Sequence, residues 1–132
     1  MIGVGDSYMS TQNTKGESFM DLYAAALEGT LARPVELANL ASDNATTDSV
    51  RNSLTTDEAF RATVASADVI VISVGGNDGD PFGKYPEGTC APAGSQKSCL
   101  KAYTPRYTAN YEAILSTVAT LRENKPTLIR VT

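Results

Sequence analysis

A serine lies in the first polar turn of the chain, directly after a short apolar run. Residues 1–5 are apolar or glycine, and Asp6, Ser7 and Tyr8 follow them. Several hydrolase folds present a nucleophilic serine on such a turn, where a strand ends. A serine nucleophile needs a neighbouring base to take its proton, and histidine is the usual base. The sequence contains no histidine, so it offers a candidate nucleophile without the usual base.

Two further polar segments each follow a predicted strand. We call residues 5–8 the first loop, residues 39–47 the second loop and residues 74–78 the third loop. In an open parallel sheet, function gathers at the edge where the strands have their carboxyl ends. The sequence therefore predicts that these loops meet, with Ser7 as nucleophile and Asn77 as a neutral side-chain donor.

Hydrophobic spacing predicts strict alternation of strands and helices. Residues 69–74 are almost continuously apolar, which is typical of a strand buried on both faces of a parallel sheet. The alternation predicts an α/β fold of three layers, with a parallel sheet between helices. The predicted strands are residues 1–5, 35–40, 69–74 and 127–132. The predicted helices are residues 18–31, residues 48–54 and a short helix that begins at Thr56. A loop from residue 75 to about residue 102 then precedes a long helix.

Two of these helices carry apolar stripes that we interpret as core-facing. Ser18 and Asp21 make a suitable start for the first of them. The stripes are Phe19, Leu22, Tyr23, Ala26 and Leu27 in the first helix, and Tyr107, Tyr111, Ile114, Leu115, Val118 and Leu121 in the last.

Composition narrows the classes of function. The 132 residues suffice for one domain, and a net charge of −4 with scattered lysines and arginines provides no basic field for nucleic acid or an anionic membrane. No stretch is apolar enough to cross a membrane. Cys90 and Cys99 bracket a short loop; we expect a disulfide and an oxidising compartment, two free thiols being the alternative. They fall short of a metal site, and no cofactor is expected.

The three loops together resemble the SGNH, or GDSL-type, serine ester hydrolases, in their secreted actinobacterial-type branch. Gly5-Asp6-Ser7-Tyr8 is similar to the family's first block and Gly75-Gly76-Asn77-Asp78 to its third block, while the second loop is similar to Asn-Leu-Ala-Cys-Ser-Gly-Ala-Thr-Thr. The resemblance covers essentially the whole chain, including the cysteine loop before a long helix. It implies a flavodoxin-like SGNH fold and hydrolysis of lipid, small-molecule or glycan esters through an acyl-enzyme on Ser7.

The resemblance also implies an oxyanion hole made by the backbone N–H groups of Ser7 and Asn44 and the side chain of Asn77. The family has glycine at position 44, and asparagine is among the residues that best tolerate a left-handed backbone. We therefore expect Asn44 to keep the backbone donor, the alternative being that it only braces the loop. We expect Asp6 to brace the first loop, and Asp78 to serve as a solvated brace of the third.

The family's base lies in an Asp-x-x-His block that follows a further strand. The pattern of residues 127–132 is typical of a buried central strand, on which a natural domain rarely stops. We therefore expect the chain to be the amino-terminal portion of a secreted esterase whose signal peptide, last strand, Asp/His loop and final helix are absent. The alternative is a natural relative without a base.

Other classes of function remain open at this stage. An acyltransferase on the same scaffold and a noncatalytic carbohydrate-binding relative are both compatible with the sequence. A flavodoxin-like nucleotide binder lacks support, because no glycine-rich phosphate fingerprint is present. The segment from Gly79 to Ala102 is expected to border the acyl or alcohol pocket, or else to be a surface excursion.

Overall fold

Four parallel strands form the centre of the structure, a computed structural model that describes residues 1–10, 15–78, 96–123 and 125–132. Along the chain the elements are β1 (Ile2–Gly5), α1 (Ser7–Ser10), α2 (Phe19–Leu31), β2 (Ala38–Asn39), α3 (Thr47–Thr56), α4 (Glu58–Ser66), β3 (Val69–Ser73), α5 (Gln96–Leu121) and β4 (Leu128–Val131). The predicted alternation and the α/β class are confirmed. None of the helices in this described part of the chain is long and apolar enough to cross a membrane.

The strand order is β2-β1-β3-β4, so β1 and β3 lie side by side in the middle. Their pairing runs in register from Ile2 opposite Ile70 to Gly5 opposite Ser73. From β1 the chain crosses to β2 on one side, whereas from β3 it crosses to β4 on the other. The carboxyl ends of β1 and β3 therefore form a topological switch point, which is where open α/β sheets bind their ligands.

The side chains of β3 alternate between two layers of helices. Ile70 and Ile72 pack into a core with residues of α3, α4 and α5, whereas Val71 packs with Met9 of α1 and Met20 of α2. The side chains of Ile70, Val71 and Ile72 are all fully buried. The predicted burial of this strand on both faces is confirmed, and it explains why its sequence lacks the alternation of a half-exposed strand.

Polar side chains cap the amino-terminal ends of three helices. Ser18 and Asp21 form a reciprocal capping box at the start of α2, and Thr46 and Ser49 form another at α3. Asp57 accepts the Phe60 N–H at the start of α4. These side chains satisfy N–H groups that a helix leaves without partners.

The predicted core face of α2 is confirmed in part, because Tyr23 packs against the core but the inward side of the helix is rotated from the predicted one. Phe19 and Leu22 are 46% and 51% exposed, whereas Met20 and Ala24 are buried. The reason lies in the sheet, because Met20 fills the space over Gly3, where an added Cβ would come within 2.9 Å of the Met20 Cγ. A glycine in β1 therefore selects which side of α2 faces inward.

The other differences concern the limits and burial of elements. β2 is shorter than predicted because it pairs only with Ile2 and Gly3 of β1. α5 begins at Gln96, since residues 96–102 contain neither glycine nor proline, and it continues through Pro105. β4 lies at the end of the strand order and pairs only with β3; the burial expected of it depends on a further strand and stays a prediction. Leu128 and Val131 are consequently exposed.

The expected face of α5 is confirmed in part. Ile114 and Val118 are buried, and Tyr111 and Leu121 pack against the same core. Tyr107 and Leu115 are partly exposed.

The close approach of β1 and β3 predicts that Gly5→Ala is strongly destabilising. An added Cβ would lie 2.0 Å from the Ser73 carbonyl oxygen and 2.7 Å from the Met9 sulfur, so the free energy of unfolding should fall by about 3 kcal/mol. Urea unfolding measures this change.

Gly29→Ala is the matched control, because Gly29 lies inside α2 with nothing within 4 Å of an added Cβ. Alanine there should raise the free energy of unfolding by about 0.5–1 kcal/mol. Equal effects of the two substitutions would contradict the packing argument.

Candidate active site

Ser7 opens α1 at the carboxyl end of β1. The Asp6 N–H donates to the Ser73 carbonyl at 2.9 Å, which keeps the chain beside β3 up to that residue. The Asp6 carboxylate then accepts the Tyr8 N–H at 3.0 Å, and the backbone carbonyl of Asp6 accepts the Met9 N–H at 3.0 Å. The chain thus turns from strand to helix around Ser7. Ser7 is partly exposed, and its side chain forms no hydrogen bond with the residues that the structure describes.

The second loop lies against this turn. The Ser42 N–H donates to the Gly5 carbonyl at 3.0 Å, and the Ser10 hydroxyl donates to Asp43 Oδ1 at 2.6 Å. Asn44 follows with φ 62°, in the left-handed region that glycine occupies most easily. Its N–H donates to no acceptor in residues 1–10, 15–78, 96–123 or 125–132. The Ser7 N–H stands at the first position of a helix, where N–H groups have no partner inside the helix.

The third loop closes the arrangement. Gly75 has φ 131°, and the Tyr107 ring packs so tightly on it that an added Cβ would lie 2.5 Å from Cε2. The Asn77 side chain donates one N–H to the Ala45 carbonyl at 3.0 Å. A primary amide carries two N–H donors, and the second has no acceptor among the residues that the structure describes. Gly76 lies beside the Asp6 carboxylate, because a Cβ added at Gly76 would be 3.6 Å from Asp6 Oδ2. Ser7, Asn44 and Asn77 therefore belong to one hydrogen-bonded set of loops at the switch point.

A buried polar network lies behind the third loop. Asp78 accepts the Thr47 N–H at 2.9 Å and the Thr47 hydroxyl, and the Asn110 amide donates to that hydroxyl at 2.9 Å. Asp78 is only 6% exposed, so the expected solvation was wrong, whereas its bonds to Thr47 agree with the expected bracing of the loop. Burial raises the pKa of Asp78, while the two hydrogen bonds from Thr47 oppose that rise; the neighbouring Asp48 raises the pKa further, and Arg106 lowers it.

Sequence reasoning missed Thr47 and Asn110. Asn110 lies within the apolar stripe of α5, three residues after Tyr107 and four before Ile114. A polar side chain at such a position indicates a buried partner, since buried amides are almost always hydrogen-bonded. The sequence held that signal but did not identify the partner.

Two tyrosines of α5 support the third loop from the same side. The Tyr111 hydroxyl donates to the Val74 carbonyl at 2.6 Å, and burial raises the pKa of Tyr111. The Tyr107 and Tyr111 rings lie 4.9 Å apart between centroids. Arg106 also reaches α3, where it pairs with Asp48 at 2.7 Å. α5 therefore contacts both the third loop and the first turn of α3.

Some of the predicted features lie away from these loops or outside the described residues. Cys90 and the loop before α5 lie outside the described residues, as does the side chain of Cys99, so the expected disulfide and pocket wall stay predictions.

A groove of about 520 Å³ lies at the opposite edge of the sheet, between the amino ends of the strands and the end of α2. Leu31 and Val69 line it, and none of the described residues around it belongs to the first, second or third loop. The groove is therefore separate from the candidate site.

Comparison with known proteins shows a likeness of fold to a solved structure. No protein-family profile matches the sequence, and no curated protein matches it. Among solved structures, the chain is similar to the crystal structure of the lipase Lip_vut3 from goat rumen metagenome, with a TM-score of 0.80 and 20% sequence identity. The similarity covers 98% of this chain and 61% of that chain. The chain therefore has the α/β fold of a lipase and spans about three fifths of the length of that structure.

The raised pKa of Asp78 predicts how stability depends on pH. The folded protein binds the Asp78 proton more tightly than the unfolded chain, so protonation favours folding. The contribution is fully present below the unfolded value of 3.8 and is lost as the pH rises through the folded pKa. The free energy of unfolding of the wild type, minus that of Asp78→Asn, should therefore be largest at about pH 3 and decrease towards about pH 7. Urea unfolding across this range measures it.

Asp21→Asn is a control of opposite sign. The backbone N–H and the hydroxyl of Ser18 lower the pKa of Asp21 below 3.8, so its contribution is present above that value and is lost as the pH falls. If the two difference curves had the same slope, the assignment of Asp78 as a carboxylate destabilised by burial would be wrong.

Proposed function

We propose that the protein is the nucleophile-bearing part of an SGNH, or GDSL-type, serine ester hydrolase, with Ser7 as the nucleophile. One observation carries the proposal: the turn at Ser7, the left-handed Asn44 and the side chain of Asn77 share one edge of the sheet, and Asn77 bonds the second loop directly. The lipase fold supports the same interpretation.

The proposed reaction is acyl transfer to Ser7 and then to water. The Ser7 oxygen attacks the carbonyl carbon of an ester as the base takes its proton. The N–H groups of Ser7 and Asn44 and the second N–H of Asn77 stabilise the tetrahedral oxyanion, each donor contributing about 3–4 kcal/mol. The alcohol leaves with a proton from the base, and water then hydrolyses the acyl-enzyme.

The proposed base is a histidine, and residues 1–132 contain none. We propose a histidine in a following Asp-x-x-His block, which is compatible with the 61% coverage of the lipase structure. A disulfide between Cys90 and Cys99 and secretion of the protein belong to the same proposal, supported by the spacing of the cysteines. The substrate class is a carboxylic ester of a lipid, a small molecule or an acetylated glycan.

The test is covalent labelling of the longest natural chain that contains residues 1–132. A fluorophosphonate probe should label Ser7, and p-nitrophenyl acetate should be hydrolysed. Ser7→Ala should abolish labelling and lower kcat by about 10⁴-fold or more, because the nucleophile is lost. Mass spectrometry locates the label.

Ser116→Ala is the matched control, since Ser116 is an exposed serine of α5 remote from the three loops. It should leave both readouts unchanged. Activity retained in Ser7→Ala would reject Ser7 as nucleophile. A wild-type chain that binds carbohydrate without being labelled would favour the noncatalytic alternative, and transfer of acetyl to a sugar in preference to water would favour the acyltransferase.

A further inference from the structure

Three polar side chains are buried where α3, α5 and the third loop meet. Thr47 and Asn110 are almost completely buried, and Asp78 is nearly so. Burying a carboxylate is costly unless hydrogen bonds satisfy it. Here the carboxylate is satisfied, because Asn110 donates to the Thr47 hydroxyl, and the hydroxyl and N–H of Thr47 both donate to Asp78.

The direction of these bonds is fixed by chemistry. An ionised carboxylate only accepts, so the Thr47 hydroxyl must donate to Asp78. Its lone pairs then face the Asn110 amide, which donates at 2.9 Å. A side chain on α5 therefore orients the hydroxyl at the start of α3, and that hydroxyl orients the carboxylate of the third loop.

The network lies next to the proposed oxyanion donors along the chain. Asn77 bonds the Ala45 carbonyl, and the following residue, Asp78, bonds Thr47. Two consecutive residues of the third loop thus hold the second loop at two points, immediately after Asn44. Asparagine tolerates the left-handed region better than most residues, and these two bonds restrain the segment that follows Asn44.

We propose that Asp78 is a positioning residue of the oxyanion hole, acting through Thr47 to fix the Asn44 N–H relative to the Asn77 side chain, with Asn110 orienting the Thr47 hydroxyl. This inference rests on the proposed function. Apolar side chains of similar volume would fill the same interface without the cost of burying a charge. Hydrogen bonds among Asp78, Thr47 and Asn110 also fix the orientation of the backbone, and a donor that points at an oxyanion requires a fixed orientation.

Thr47→Val tests the proposal in the longest natural chain that contains residues 1–132. Valine keeps the shape and the backbone N–H but removes the hydroxyl. With p-nitrophenyl acetate, kcat should fall about 10- to 100-fold, while KM should change by less than about 2-fold, because only the transition state carries the oxyanion. Thr47→Ser restores the hydroxyl and should keep kcat within about 2-fold of the wild type.

Val50→Ala separates positioning from stability. Val50 is a buried residue of α3, one turn from Thr47, and its truncation lowers Tm through packing alone. It should leave kcat within about 2-fold of the wild type. If kcat fell in proportion to the loss of Tm in both Val50→Ala and Thr47→Val, the role would be structural only and the proposal would be wrong.

A double-mutant cycle provides a second readout. Asn77→Ala removes one donor of the proposed oxyanion hole, so there is less left for Thr47 to position. In that background Thr47→Val should lower kcat by less than about 3-fold. Fully additive losses would overturn the proposal. Should Thr47→Val not fold, Asn110→Leu removes only the donor to the Thr47 hydroxyl and should lower kcat about 3- to 10-fold; an unchanged kcat there would equally overturn it.

The two proposals fail differently. If Ser7→Ala abolishes activity and Thr47→Val leaves kcat unchanged, only the positioning role is wrong. If Ser7→Ala retains activity, or the wild type hydrolyses no ester, the proposed function fails and the positioning role fails with it.

Discussion

The contact between the ends of β1 and β3 is the constraint on which the rest of the structure depends. The two backbones meet so closely at Gly5 and Ser73 that no side chain fits at position 5. The same Ser73 carbonyl accepts the Asp6 N–H. This approach sets the switch point of the sheet, and it places the turn at Ser7 beside the glycines of the third loop.

Polar bonds between loops complete the assembly of that edge. The second loop is held from the first loop through Gly5, and from the third through Asn77 and Asp78. Each of these bonds joins residues that are far apart in sequence. The edge is therefore joined by hydrogen bonds into one unit, in which α5 takes part through Asn110 and Tyr111.

Local sequence signals predicted the fold well where a single element contains all the information. The unbroken apolar run of β3 and the cap at Ser18 are of this kind, and both are confirmed. The face of α2 was not predictable from its own periodicity, because Gly3 in another element decides that Met20 points inward. The place of β4 in the strand order also depends on the whole sheet, because no single segment encodes it.

The candidate site divides in the same way. Residue types and loop order indicated Ser7 and Asn77, whereas Asn44 came from the family resemblance, and its left-handed backbone is of the kind that asparagine tolerates. The burial of Asp78 was missed, because it depends on Thr47 and Asn110, which come from two other elements. A carboxylate's environment is a property of the assembled fold, and the sequence around it does not contain that information.

The hydrogen bond from Asp6 to Ser73 also has a consequence for how the chain folds. Asp6 is synthesised well before Ser73, because the second loop, α3 and α4 all lie between them along the chain. The turn that carries Ser7 therefore has its complete set of hydrogen bonds only when β3 is in place. Such a contact closes a long stretch of chain, so the geometry of the serine depends on the assembled centre of the sheet.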